Sequence, residues 1–245
     1  MNVIKKSIEQ IPLPDKLHKV AYERLNNTST KRAKRWMLPT VAMLFLILSS
    51  TTIVFSNYFS ISDFFESKDQ KLSAIDETKI VVESDTFSIT LKQFVDYKEN
   101  ILLIHELNNI ANAFSDMELL NQLIETELLL YEAKDHGVIA TTQEINEYAL
   151  QTKQAWAETN DASLHEINEE LARKLGVDVE EYFTHPTTLK NYESMIISNN
   201  FIMQLYSEGI LNEQYTQEQY KTDLHGKYKK QINVNKDYLK EAEGL

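Results

Sequence analysis

Beyond residue 90, apolar residues recur at intervals of three and four, which places them along one face of an α-helix. Helix starts are marked by a capping Ser, Thr or Asp, often with Glu three residues later, and helix ends by Gly. The predicted starts are Thr90, Ser115 with Glu118, Thr141 with Glu144, Ser163 with Glu166, Asp178 with Glu181, Thr187 and Thr216, and the predicted stops are Gly137, Gly176 and Gly209. These signals predict a mainly α-helical domain over residues 79–245.

A short strand or hairpin is predicted just before the first of these helices. Residues 80–83 and 87–90 are rich in Ile, Val, Phe and Thr, and they flank the turn-like dipeptide Ser84-Asp85. The chain has five Gly and four Pro, too few for the many tight turns of a sandwich or barrel. The predicted fold class is therefore mainly α with a small β element.

A different pattern occupies the N-terminal region, where the 21 residues from Trp36 to Ser56 carry no charge. As a helix they would reach about 31 Å, close to the hydrocarbon thickness of a bilayer. A cleaved signal peptide has a shorter apolar core and a small-residue cleavage site, and neither is found here. We expect a transmembrane helix over residues 36–58 that stays attached to the protein.

Charge is distributed unevenly about this segment. Residues 1–35 contain nine basic and three acidic side chains, a net charge of +6, so the overall charge of −12 leaves −18 for the remainder. Because Lys and Arg beside a span are held on the cytoplasmic side, the basic run at 31–35 predicts a single-pass protein with a cytoplasmic N-terminus and an extracytoplasmic C-terminal domain. Residues 59–78, aromatic and then polar, are predicted as the linker, and the acidic exterior disfavours nucleic acid as a partner.

The basic leader, residues 1–35, contains one amphipathic pattern. Its apolar positions at helical spacing are Leu13, Leu17, Val20, Ala21 and Leu25. A helix this short needs a surface to lie on, so two interpretations stay open: a helix resting on the inner leaflet, and a segment that binds a cytoplasmic protein. The stretch resembles the cytoplasmic leader of single-span anti-sigma-type regulators of Gram-positive bacteria.

The sequence contains no catalytic or metal-binding motif. It has no Cys, and its six His are dispersed without a metal spacing such as H-E-x-x-H. It also has no G-x-S-x-G elbow, P-loop or G-x-G-x-x-G phrase, and we interpret its adjacent carboxylates as solvated surface. We therefore expect no catalytic residue, no metal and no cofactor, and an enzyme is not the expected class.

Two phrases resemble a known family. Residues 118–149 combine a leucine-rich helix, an Ala-x-x-x-Gly stop at Ala133 and Gly137, and a restart that contains Glu144. Residues 171–183 read LARKLGVDVEEYF. In this order the phrases are similar to the N-terminal chaperone module of the SurA/PrsA foldase family, and the resemblance covers residues 79–222.

The resemblance implies a helical cradle whose apolar, ring-rich surface holds unfolded or partly folded polypeptides outside the cytoplasmic membrane. Three features depart from the family. Ser84-Asp85 replaces the usual Asn-Gly turn, and a predicted membrane helix replaces the lipidated Cys of Gram-positive members. Only 23 residues follow Thr222, too few for the parvulin prolyl-isomerase domain, so no isomerase activity is expected.

The expected function is that of a membrane-anchored, extracytoplasmic, chaperone-like protein of the cell envelope. Aromatic and Met side chains suit a plastic binding surface because they repack against different partners. The expected groove residues are Phe94, Leu102, His105, Leu128, Tyr131, Trp156, Tyr182 and Met203. The alternative is a transmembrane regulator of the anti-sigma type, with a sensing outer domain and a leader that binds a cytoplasmic partner.

Overall fold

The computed structural model describes residues 60–108, 110 and 114–245, all within one compact unit that spans residues 54–245. The predicted leader and the predicted transmembrane helix at 36–58 lie outside the described residues. Within the described ranges, no helix combines the length and the apolar character needed to cross a membrane.

The described chain is mainly helical with a small three-stranded sheet, which confirms the predicted fold class at that level. The helices are α1 (Ile61–Ala74), α2 (Leu91–Leu107), α3 (Asp116–Asp135), α4 (Thr142–Glu158), α5 (Ala162–Leu175), α6 (Val179–Tyr182), α7 (Pro186–Ser207), α8 (Gln217–Tyr228) and α9 (Lys236–Glu243). The strands are β1 (Ile80–Glu83), β2 (Ser88–Thr90) and β3 (Asn233–Val234).

The predicted β element is confirmed as the antiparallel hairpin of β1 and β2. Ser84 closes its turn, because its amide donates to the Phe87 carbonyl at 3.0 Å and its hydroxyl oxygen accepts from the Phe87 amide at 3.0 Å. The third strand was not predicted. It pairs antiparallel with the other edge of β1, so that Val82 faces Val234 and the strand order is β2-β1-β3.

Most of the predicted helix starts are confirmed. Full capping boxes begin α2 at Thr90, α3 at Ser115, α4 at Thr141 and α8 at Thr216, and each satisfies amide groups that the first helical turn leaves unpaired. The three stop glycines are also confirmed, because Gly137, Gly176 and Gly209 have φ of 72°, 70° and 74°, the left-handed conformation that Gly adopts without strain.

Two predicted helix starts are corrected. The helix α5 begins two residues earlier than expected, because Asp161 accepts from the amides of Ser163 and Leu164 while Ser163 itself is buried inside the helix. The helix α7 begins at Pro186, and His185 caps it by accepting from the Thr187 amide. In each case the side chain that accepts from the amide of the first helical turn lies two residues before the predicted start. Sequence spacing does not distinguish between positions this close together.

The predicted linker, residues 59–78, also needs correction, because most of it is the packed helix α1. Ser60 caps α1, and Ile61, Phe65 and Leu72 are buried against α2 and α5. Lys68 lies on the same buried face and forms a 2.8 Å ion pair with Asp96 of α2. A buried Lys among the apolar positions obscures the helical period, which explains why the sequence reads as a linker.

Two apolar clusters hold the fold together. The first lies between the sheet, α2, α3, α8 and α9, and its fully buried members include Val81, Phe94 and Leu120. The second lies between α3, α7 and the turn after α7, around Phe201. The helix α4 packs against α7, and α5 packs against α1 and α6. The helix α3 therefore contributes to both clusters.

Candidate peptide-binding surface

The eight expected groove residues lie in different environments. Phe94 and Leu128 are fully buried in the first cluster, so in this structure they are core residues rather than groove residues. Their positions reflect the packing of α2 against α3, which periodicity places on an apolar face without saying what covers that face. Leu102, Tyr131, Trp156 and Tyr182 are half-buried, His105 is buried and Met203 is exposed.

His105 and Tyr131 lie on α2 and α3 and are held by neighbouring rings. The His105 ring lies 5.8 Å from the ring of Phe114, and its Nδ1 atom is buried with no hydrogen-bond partner. The Tyr131 ring makes an edge contact with Tyr228 of α8 at 5.9 Å. Among the described residues, the ring contacts of His105 and Tyr131 do not extend to Trp156.

Trp156 and Tyr182 belong to an aromatic cluster that joins α4, α5, α6 and α7. Trp156 contacts His165 at 5.2 Å and Phe183 at 5.5 Å, and Phe183 contacts Tyr182 at 5.4 Å. About two turns earlier on α4, the Tyr148 ring contacts the ring of Tyr192 on α7, with the ring centres 4.9 Å apart. The sequence predicts Trp156 and Tyr182 as binding residues but not their association with the other rings, because the periodicity of one helix does not show which helices meet.

Polar atoms are buried without partners in the same region. The hydroxyl group of Ser163 and the indole N–H of Trp156 have no hydrogen-bond partner. The Thr152 hydroxyl donates to the main-chain oxygen of Tyr148 at 2.9 Å. Burying such groups costs free energy, which the surrounding ring contacts have to offset.

Burial also changes the ionisation of the two adjacent phenols, Tyr148 and Tyr192. Burial, followed by the neighbouring phenol, raises the pKa of Tyr148 above its ordinary value. Burial and the nearby Tyr182 raise the pKa of Tyr192 in the same direction. Both phenols are therefore neutral at physiological pH and offer no anionic group for acid–base chemistry.

Large apolar side chains are exposed on the α4–α7 part of the molecule. Met203 is 64% exposed, Leu150 62% and Ile139 69%. Tyr206 and Ile210 are also exposed, and Met203 and Tyr206 are three residues apart on one face of α7. The opposite face of the same helix end is sealed by Phe201 and Leu205. We call Met203, Tyr206 and Ile210 the α7 patch.

Comparison of the sequence with protein-family models finds no match. Searches of the curated proteins and of the solved structures find no match either.

The electrostatic surroundings are strongly acidic. Residues 60–245 contain 16 basic and 34 acidic side chains, a net charge of −18. Most of the basic side chains near the α4–α7 part are paired, as Lys153 is with Glu180 at 3.0 Å and Arg173 with Glu170 at 2.7 Å. A partner that combines apolar and basic residues would therefore meet both an apolar patch and a favourable field.

No group of three or more His, Cys, Asp or Glu side chains within the described residues has the arrangement of a metal site. The described surface offers apolar contact, ring contacts and long-range attraction for positive charge.

Proposed function

We propose that this protein is a membrane-anchored, extracytoplasmic chaperone-like protein that binds unfolded or partly folded polypeptides. In this proposal residues 79–222 act as a SurA/PrsA-like helical module, against which α1 packs through α2 and α5. The protein binds its clients without isomerase activity and without a cofactor. Residues 36–58 anchor it, with the N-terminus in the cytoplasm.

The observation that supports binding most directly is the α7 patch. Met203 and Tyr206 are exposed on one face of α7 and Ile210 is exposed in the turn that follows, although an apolar cluster lies on the other face of α7. Exposed apolar groups that are contiguous mark interaction surfaces more often than single ones do. The flexible thioether of Met203 and the amphipathic ring of Tyr206 are side chains that adapt to varied partners.

The chemistry of the surface also fits a broad choice of clients. Apolar contact is non-directional, so it tolerates different sequences, whereas a polar network would demand one arrangement of donors and acceptors. The acidic field adds attraction for Lys and Arg in a client. Clients rich in apolar and basic residues are therefore the preferred class.

The test measures binding of a permanently unfolded, fluorescently labelled polypeptide to the full-length protein in lipid nanodiscs by anisotropy. The double substitution Met203→Ser and Tyr206→Ser removes apolar contact area and raises the Kd about tenfold or more. The matched control is Asn191→Ser with Glu193→Ser, two exposed polar positions on the same helix. The control changes the Kd by no more than about twofold.

Both variants are checked by thermal unfolding, and both keep the wild-type Tm because all four positions are exposed or on the surface of α7. Wild-type protein that fails to bind several unrelated unfolded polypeptides would contradict the proposed function. Equal loss of binding in the patch variant and the control variant would remove the α7 patch from it.

A further inference from the structure

The last part of the chain lies across the first apolar cluster. Residues 216–245, which we call the C-terminal segment, form α8, β3 and α9. The helix α8 packs on α3, β3 pairs with the edge of β1, and α9 packs on α2, α3 and β1. The segment therefore covers one sheet edge and two helix faces at once.

The C-terminal segment is shallowly buried compared with what it covers. Within residues 216–245, all of which the structure describes, only Leu224, Leu239 and Ala242 are buried. The strand β3 contributes two residues and α9 eight. Elements with few buried contacts are the ones that open locally without global unfolding.

The surface beneath the segment is apolar and acidic. It includes Val82, Phe94 and Leu128, two of which the sequence had suggested as groove residues. Glu132 lies at its edge and accepts from Lys227 and Tyr228 of the segment, both at 2.6 Å. The buried carboxylate of Glu132 thus binds one lysine and one tyrosine side chain of the C-terminal segment.

Charge complementarity follows the same division. The C-terminal segment has six Lys against five acidic residues, a net charge of +1, whereas residues 60–215 have 10 basic and 29 acidic residues, a net charge of −19. The Nδ1 atom of His225 also lies 3.9 Å from the Oε1 atom of Glu125 on α3. The segment carries the combination of apolar rings and lysines that the acidic body attracts.

We propose that the C-terminal segment is a displaceable internal ligand, and that unfolded polypeptides with the same Tyr-, Leu- and Lys-rich chemistry bind the surface it covers. The client adds a strand to the β1 edge in place of β3 and places its apolar side chains over α2 and α3. Strand addition supplies main-chain hydrogen bonds that do not depend on sequence. The inference rests on the proposed function and adds a second binding surface to the α7 patch.

A disulfide can hold the segment closed. The Asn235 amide donates to the Val81 carbonyl at 2.9 Å, so Val82 and Val234 form a non-hydrogen-bonded pair. The Cα atoms of such a pair lie about 4.5 Å apart, within the range that a disulfide spans. The chain has no Cys, so the variant Val82→Cys with Val234→Cys introduces a single bond that reductant opens.

The full-length double variant is compared oxidised and reduced for binding of the labelled unfolded polypeptide. Oxidation holds the segment closed and raises the Kd at least about fivefold, because it removes the open population that binds clients. Reductant restores the lower Kd. The controls are the wild type and each single Cys variant, whose Kd is insensitive to reductant. Equal Kd for the oxidised and reduced double variant, with the wild type binding normally, would overturn this inference and leave the proposed function standing. A wild type that does not bind at all would overturn both.

Hydrogen exchange of the unmodified protein gives a second test that needs no substitution. Amides of β3 and α9 exchange at least about tenfold faster than those of α3, because the segment opens sub-globally. The unfolded polypeptide in excess increases exchange further in α9 while it protects β1. Equal protection of α9 and α3, lost only on global unfolding, would overturn the inference.

Discussion

At the scale of single residues, the most informative side chain is Glu132, a carboxylate buried on α3. Burial acts to raise its pKa, but hydrogen bonds from Lys227 and Tyr228 outweigh burial and hold the pKa of Glu132 below its ordinary value. The same ion pair raises the pKa of Lys227, chiefly through its hydrogen bond to Glu132. The Glu132 carboxylate therefore links α3 to α8, and this link depends on the carboxylate remaining ionised.

The lowered pKa predicts a dependence of stability on pH. A carboxylate with a lower pKa in the folded state stabilises the fold above its unfolded pKa of about 4.3 and loses that contribution as the pH falls through the folded pKa. Glu132→Gln lowers the free energy of unfolding at pH 7 by about 1–3 kcal/mol and makes its decline below pH 4.5 less steep. Urea unfolding at several pH values measures both effects.

The exposed Glu193 provides the control for that measurement, because Glu193→Gln removes the same charge from the surface of α7. Its unfolding free energy follows the wild-type pH profile to within about 0.5 kcal/mol. A Glu132→Gln variant with the full wild-type decline at acid pH would show that this carboxylate does not stabilise the fold through its ionised form.

At the scale of elements, local signals were sufficient wherever the stabilising partner lies within a few residues. The capping boxes at Thr90, Ser115 and Thr141 and the positive-φ glycines could be predicted because each acts within one turn. The strand β3 could not, because its two residues are ordered only by β1, some 150 positions earlier in the chain. The helix α1 is not predicted, because Lys68 interrupts its apolar face and the residue that pairs with Lys68, Asp96, is on another helix.

The corrected start of α5 gives a matched pair of substitutions. Asp161→Ala removes the side chain that caps the Ser163 and Leu164 amides and destabilises the protein by about 1 kcal/mol. Ser163→Ala removes a buried hydroxyl that has no partner, so it leaves stability unchanged or increases it. Thermal unfolding of both variants decides between the two helix starts. A larger loss of stability for Ser163→Ala would show that Ser163 is the cap, as spacing alone predicts.

At the scale of the whole molecule, the helical class followed from periodicity, but the candidate surface did not. Phe94 and Met203 both occupy apolar positions of predicted helices, yet one is fully buried and the other is 64% exposed. Exposure depends on which helices meet, as α2 meets α3 and α9 and as one face of α7 meets α3. A sequence pattern defines a face of a helix, whereas tertiary packing decides whether that face is open.

The proposed topology can be measured because the chain has no Cys of its own. Full-length variants with Ser7→Cys or Ser207→Cys are treated with a membrane-impermeant maleimide in intact cells. We expect labelling of the variant with the substitution at Ser207, an exposed position at the end of α7, and labelling of the Ser7 variant only after permeabilisation. Labelling of the Ser7 variant in intact cells would reverse the proposed orientation.

The most direct measurement follows the aggregation of two unrelated, chemically denatured proteins by light scattering in the presence of the full-length protein in nanodiscs. Clients held through exposed apolar side chains aggregate later and less, in proportion to the amount of protein, and empty nanodiscs have no effect. The variant with Met203→Ser and Tyr206→Ser delays aggregation less than the wild type does. Unchanged scattering of both clients at a molar excess of folded protein would contradict the binding of unfolded polypeptides.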